Sequence, residues 1–308
     1  MISSFDDLLR EAALSAPGTV AVAGPAGAET FAAIADAIER LPVRFVLVGD
    51  APAIQRGAGE AGCDPARVRI EAAADAASTL ARAIGLVREG EAGILMKGSV
   101  DTGALMKSVL DETTGLRTGR LLSDVFVFEY PPRQGNRFVM ITDGGVTTAP
   151  DLKAKVELIA NAVEVAHRLG NMLPRVAVLS ATEYVTTALV STIDAALLAK
   201  MNERGQIKGC IVDGPLALDN ALSLEAAEEK RIRSDVAGKA EILVAPNIEA
   251  ANSLAKGTVY FGGLRQAHVI VGAKAPVLIP SRADKRDGRL LSVALGMIMS
   301  APETQAAG

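Results

Sequence analysis

The chain has 308 residues, a formal charge of −4 at pH 7, 49% hydrophobic residues, 3% aromatics and no Trp. This charge excludes a general electrostatic affinity for nucleic acid or an anionic membrane surface and leaves room only for local cationic pockets. Ala, Val, Leu and Ile must fill the interior, and the length allows one large α/β domain or two smaller ones, of which two are expected.

In chain order, the N-terminal MISSFDDLLREAAL is acidic and lacks a long apolar core, so no secretory signal is expected there. No apolar run reaches the ~18 residues of a membrane span, and a soluble protein is expected. Short Val- and Ile-rich runs bounded by Gly, Pro or Asp then recur at 18–25, 44–50, 93–98, 175–180, 208–214, 241–246 and 268–272. They read as buried strands. Most are separated by segments of helical period. The clearest is 151–170, where Leu152, Val156, Ile159, Val163 and Ala166 form one apolar face. Thr148 or Asp151 can cap it, Pro150 suits its first turn, and Gly170 can end it. Strand followed by helix, repeated, predicts a mainly parallel sheet covered on both faces. The Gly-Asn and Gly-Gly steps in RQGNRFVMITDGG (133–145) predict a turn or hairpin, and the domain boundary is placed there. After the strand-like VLIP, the tail RLLSVALGMIMSA predicts a last helix returning to the first domain.

Familiar catalytic signatures are mostly missing. GPAGAE after the first strand is not GxGxxG, and the chain holds no GxxxxGK[ST], GxSxG or HExxH. His167 and His268 read as structural, and Cys210 as a small buried strand residue. Cys63 and Cys210 form no CxxC or metal spacing, which fits a reduced, cytoplasmic setting with no bound metal.

Four predicted strand ends carry polar residues, and ligands of open α/β sheets bind at carboxyl ends of strands. MKGSVDTGALMK offers Lys97, Ser99, Asp101, Thr102 and Lys107, and VDGPLALDNA puts Asp213, Gly214 and Pro215 directly after a strand. VAPNIEAAN brings Asn247 and Asn252, while VLIPSRAD brings Ser281, Arg282 and Asp284. The Arg282 guanidinium matches two phosphate oxygens in a planar fork, or pairs at the surface with Asp284 or Asp287. Ser281 can donate to an oxyanion, or cap the following helix.

Beyond single motifs, LMKG, GALMKSVLDETTGLRTGRLLSDVFVFE, APDLKAKVELIANAVEVAHRLG, RVAVLSATE, MNERGQIKGCIVDGPLALDNALS, VAPNIEAANSLAKGTVYF and VGAKAPVLIPSRAD follow one another across roughly residues 93–290. Together they resemble the phosphate acetyltransferase and phosphate butyryltransferase family, closest to the butyryl branch. The resemblance implies a two-domain α/β/α sandwich with mainly parallel sheets, similar to isocitrate and isopropylmalate dehydrogenases. On that pattern, residues 1–140 plus 286–308 form one domain and 141–285 the other, with the active site in the cleft between them. It also implies a homodimer, no permanently bound cofactor, and CoA or acyl-CoA and inorganic phosphate as substrates.

The implied reaction is reversible: acyl-CoA plus phosphate gives acyl phosphate plus CoA, with butyryl or acetyl as the short chain. By resemblance, Ser281, Arg282 and an aspartate, Asp287 ahead of Asp284, are catalytic. Lys97, Thr102, Lys107, Asp213, Gly214, Pro215, Asn247, Asn252 and Gly272 are candidates for binding substrate. Lys107 stands where the acetyl branch has Arg. Ala251 stands where the family usually has Gly, which puts a methyl where backbone is expected to approach ligand closely. Two other functions share the scaffold: an oxidoreductase, and a non-catalytic subunit that binds CoA or acyl phosphate.

Overall fold

The computed structural model of the protein describes residues 1–130, 135–280 and 286–301. The chain divides into two compact units: Phe5–Arg120 with the chain from Ala267 onward, and Met1–Ser4 with Leu121–Gln266.

The first unit starts with α1 (Phe5–Leu14), β1 (Gly18–Ala23), α2 (Ala28–Arg40), β2 (Val43–Gly49) and α3 (Ala51–Glu60). It continues through β3 (Val68–Ala72), α4 (Ala76–Arg88), β4 (Ile94–Lys97) and α5 (Thr102–Val109). The second unit contributes β5 (Ser123–Glu129), β6 (Phe138–Thr142), α6 (Leu152–Arg168), β7 (Arg175–Leu179), α7 (Val190–Glu203) and β8 (Ile211–Leu216). After these come α8 (Leu218–Leu222), α9 (Leu224–Glu229), β9 (Ile242–Val244) and α10 (Ile248–Tyr260). Returning to the first unit, the chain forms β10 (Gln266–Val271), β11 (Val277–Leu278) and α11 (Arg286–Ser300).

Strand order in the first unit is β3-β2-β1-β4-β11-β10, parallel except where β10 runs against β11. The runs GTVAVA and VRFVLVG are buried over most of their length, because parallel strands are covered on both faces and alternation with polar residues is lost. Helix starts are fixed locally. Asp50 accepts from Ala53 N–H at 3.0 Å to open α3, and Asp75 forms a capping box with Ser78 at α4. Helix α11 packs on α1 and α2, with Arg289–Met297 buried on every side.

Strand order in the second unit is β5-β6-β9-β7-β8. β5 and β6 are an antiparallel pair, while β6, β9, β7 and β8 run parallel. Val139, Ile141, Ala177, Leu243 and Ala251 meet in its core. Full burial of a side chain such as Leu243 is worth about 1.5–3 kcal/mol. Among the described residues, no helix is long and apolar enough to cross a membrane.

The structure shifts several sequence-based expectations. The units divide at 120/121 and 266/267, not at 140/141 and 285/286. The reason is strand pairing: β5 hydrogen-bonds to β6 and shares its core, while β11 hydrogen-bonds to β4. Strands β3 and β5 had not been expected. Asp151 is the cap of α6, accepting from Ala154 N–H at 2.7 Å, so Pro150 lies just before the helix and Thr148 does not cap it.

Candidate functional site

In the first unit, β1, β4 and β11 are parallel neighbours, with Ala23 beside Lys97 and Leu278 beside Met96. Their carboxyl ends therefore lie together. There the Lys97 ammonium is buried and donates to the carbonyls of Gly98 at 3.1 Å and Val100 at 3.2 Å. Ser99 Oγ donates to the Gly24 carbonyl at 2.8 Å, tying the β4 exit to the β1 exit. The approach is close enough that a Cβ on Gly98 would lie 2.2 Å from the Gly24 carbonyl oxygen. Asp101 caps α5 by accepting from Ala104 N–H at 2.8 Å, which places Thr102 in the first turn and Lys107 in the last, both exposed.

The chain leaves β11 at this same edge. Ser281, Arg282 and Asp284 lie outside the described residues. Beyond them Asp287 occupies the first turn of α11, Arg286 pairs with Asp36, and the buried Arg289 donates to Thr30 Oγ1 at 3.3 Å. β10 runs against β11, so Gly272 falls at the opposite end of the sheet from Lys97, in the turn between those strands, where its carbonyl accepts from Thr118 Oγ1 at 2.5 Å.

In the second unit, the carboxyl ends of β6, β9, β7 and β8 share one edge, and the start of β5 joins them because β5 is antiparallel to β6. Asp143, at the end of β6, is 3% exposed and Asp124, on β5, is 1% exposed. Asp143 Oδ1 accepts from the N–H groups of Asp124 at 3.1 Å, Gly145 at 2.9 Å and Val146 at 3.1 Å, and Oδ2 accepts from Thr147 N–H at 2.8 Å. Burial, reinforced by the neighbouring Asp124 charge, pushes the Asp143 carboxyl above the usual carboxylate range, with the N–H bonds pulling the other way. A Cβ on Gly145 would lie 2.4 Å from Asp124 Oδ2. The neighbouring Thr142 hydroxyl is buried without a hydrogen-bond partner among the described residues.

Asn247 caps α10 by accepting from Ala250 N–H at 2.9 Å, and Asn252 Nδ2 donates to the Gly144 carbonyl at 2.8 Å. The structure thus gathers Asn247, Asn252, Asp143 and Asp124 around one turn. The Ala251 methyl is buried in the apolar core, so it does not project into a ligand's path as expected from the sequence. Asp213, Gly214 and Pro215 lie inside β8 rather than after it, and Asp213 Oδ1 accepts from the next N–H, that of Gly214, at 2.8 Å. Pro215 is tolerated there because β8 is the outer strand.

His167 Nε2 donates to the Gly209 carbonyl at 2.8 Å, and Cys210 is buried with its thiol pushed up to about 11 by burial. Among the described residues, no group of three or more His, Cys, Asp or Glu side chains could hold a metal ion. Sequence reading missed Asp124, Asp143 and Arg289. The only local signal for Asp143 was the Asp-Gly-Gly turn closing an apolar run, and nothing local linked it to Asp124.

Comparison with known proteins agrees with the resemblance. The family model described as Phosphate acetyl/butaryl transferase matches residues 61–297. A phosphate butyryltransferase of Clostridium beijerinckii is 44% identical over 301 residues, 98% of this chain and 99% of its own length. A phosphate acetyltransferase of Rhizobium meliloti is 40% identical over 299 residues, 97% of this chain and 94% of its own. Among solved structures, a branched-chain phosphotransacylase from Enterococcus faecalis superposes with a TM-score of 0.81 at 30% identity, over 92% of this chain and 98% of that one. Matched along almost its whole length, the chain belongs to the phosphate acetyl/butyryl transferase family.

Proposed function

We propose that the protein is a phosphate acyltransferase that interconverts acyl-CoA plus phosphate with acyl phosphate plus CoA, using butyryl or acetyl groups. The observation that carries this reading is 44% identity to a phosphate butyryltransferase across 98% of the chain. Phosphate oxygen attacks the thioester carbonyl, the carbon–sulfur bond breaks, and the departing CoA sulfur takes a proton. A free thiol has a pKa of about 8.5, so in the reverse direction a carboxylate aids attack by accepting that proton.

In this reading Arg282 clamps phosphate through its planar fork and Ser281 stabilises the charge growing on the carbonyl oxygen. Asp287 handles the thiol proton, with Asp284 as the other candidate. Both substrates are held together, so transfer is direct and the gain comes from orientation. Lys97, Thr102, Lys107, Asp213, Gly214, Pro215, Asn247, Asn252 and Gly272 are the residues proposed to bind substrate. CoA and phosphate enter as substrates, with no permanently bound cofactor.

The buried parallel strands of both units support a scaffold of the isocitrate/isopropylmalate dehydrogenase kind. Free thiols at Cys63 and Cys210 support a reducing, cytoplasmic setting, and the family resemblance supports a homodimer. The test is to incubate purified protein with butyryl-CoA or acetyl-CoA and follow thiol release with and without phosphate. Phosphate-dependent release is expected. Saturable CoA binding without turnover would show a binding subunit instead, and nicotinamide reduction would show an oxidoreductase.

A further inference from the structure

The Asp143 carboxylate has a task that the acyl transfer chemistry does not use. It accepts four backbone N–H groups, three from the turn Gly145–Thr147 and one from Asp124 on the antiparallel neighbour strand. One side chain therefore fixes both the path of the turn and its register against β5. A carboxylate that accepts four backbone N–H groups is a stiff anchor, since each bond is charge-assisted and together they fix its orientation.

The turn is also held from the other side. Asn252 Nδ2 donates to the Gly144 carbonyl at 2.8 Å, and Ile248 N–H donates to the Thr148 carbonyl at 3.0 Å. The bond to Gly144 decides which way the Asn252 amide faces, because a carbonyl oxygen must meet the NH2 end. Asn252 is half-buried, and its Oδ1, turned away from Gly144, has no protein partner among the described residues. It is a fixed acceptor at the strand edge where ligands of α/β sheets bind.

A carbonyl-type acceptor cannot polarise a thioester carbonyl, which is itself an acceptor, and meets phosphate only through a P–OH proton. It suits an amide N–H or hydroxyl donor. Of the two substrates, the one rich in such donors is acyl-CoA, whose arm carries two amides.

We infer that Asp143 is a positioning residue that, through the Gly144 carbonyl, orients Asn252 Oδ1 to accept a hydrogen bond from an amide or hydroxyl of the acyl-CoA arm. The inference rests on the acyltransferase reading and adds to it which substrate this edge recognises.

The test is steady-state kinetics of Asn252→Ala, Asp143→Asn and the double variant, with butyryl-CoA and phosphate varied separately. Asn252→Ala should raise the KM for butyryl-CoA about tenfold, the worth of one good hydrogen bond, and leave the KM for phosphate unchanged. Asp143→Asn should do the same, and the double variant should be no worse than either single one, because both changes remove one oriented acceptor. Multiplying effects, or a rise confined to the phosphate KM, would overturn the inference.

Should Asp143→Asn fail to fold, Asn252→Leu beside Asn252→Ala still decides the matter, because both remove the Oδ1 acceptor; an unchanged KM for butyryl-CoA in either refutes the assignment. Failure of the wider reading is separable. If the wild-type chain shows no phosphate-dependent thiol release, calorimetric titration with CoA itself still decides whether Asn252→Ala weakens binding about tenfold or leaves it intact.

Discussion

The Lys155 ammonium on α6 lies 2.6 Å from the Asp194 carboxylate on α7, with the two side chains 5% and 15% exposed. Taking two ions this far out of water is offset only while both remain. Lys155→Met should therefore lower the free energy of unfolding by about 3 kcal/mol, read from urea titration, because it strands a carboxylate in apolar surroundings. The double change Lys155→Met with Asp194→Leu should recover most of that loss. A double variant weaker than the single one would show that the pair contributes net stability.

Gly98→Ala places a methyl 2.2 Å from the Gly24 carbonyl oxygen, a backbone atom that cannot rotate away. The variant should lose about 1–3 kcal/mol of stability by overpacking. Since the clash pries the β4 exit from the β1 exit, turnover should fall further than stability does. A soluble variant with wild-type turnover and midpoint would show that this close approach is dispensable.

Cys210 has its thiol pushed up to about 11 by burial, and burial also raises Cys63 above its ordinary value. Thiolate is the reactive form, so at pH 7.5 a disulfide reagent should label Cys210 only after unfolding in guanidinium. Cys210→Ala should retain turnover. Loss of activity in a folded Cys210→Ala protein would point to a thiol nucleophile and against direct transfer.

Arg282→Lys keeps a positive charge but loses the two-pronged match to phosphate, so the KM for phosphate should rise more than that for acyl-CoA. Equal rises would count against a phosphate clamp at this position. Asp284→Asn and Asp287→Asn, made separately, locate the proton carrier: the variant whose kcat falls by about 10²–10⁴ identifies it. If neither falls, the proton moves through another group.

Local pattern was enough for much of this protein. Val-rich runs such as VRFVLVG read as buried strands, and the apolar spacing over 151–170 reads as the helix found in α6, with the choice of Asp151 over Thr148 as its cap made by the structure. The ordered motifs from residue 93 to 290 were enough for the family. What local pattern could not supply was direction and partnership. Lys97 ends a strand and Gly272 follows one, yet β10 runs against β11 and carries Gly272 to the opposite end of the sheet. Asp124 and Asp143 are separated by a hairpin, and only antiparallel pairing of β5 with β6 brings them together. The division at 120/121 has the same origin, since β5 follows its hydrogen-bonding partner. Side-chain periodicity is a property of neighbouring residues, whereas strand order and direction are set by burial and hydrogen bonding between segments far apart in the chain, and those become visible only in the folded molecule.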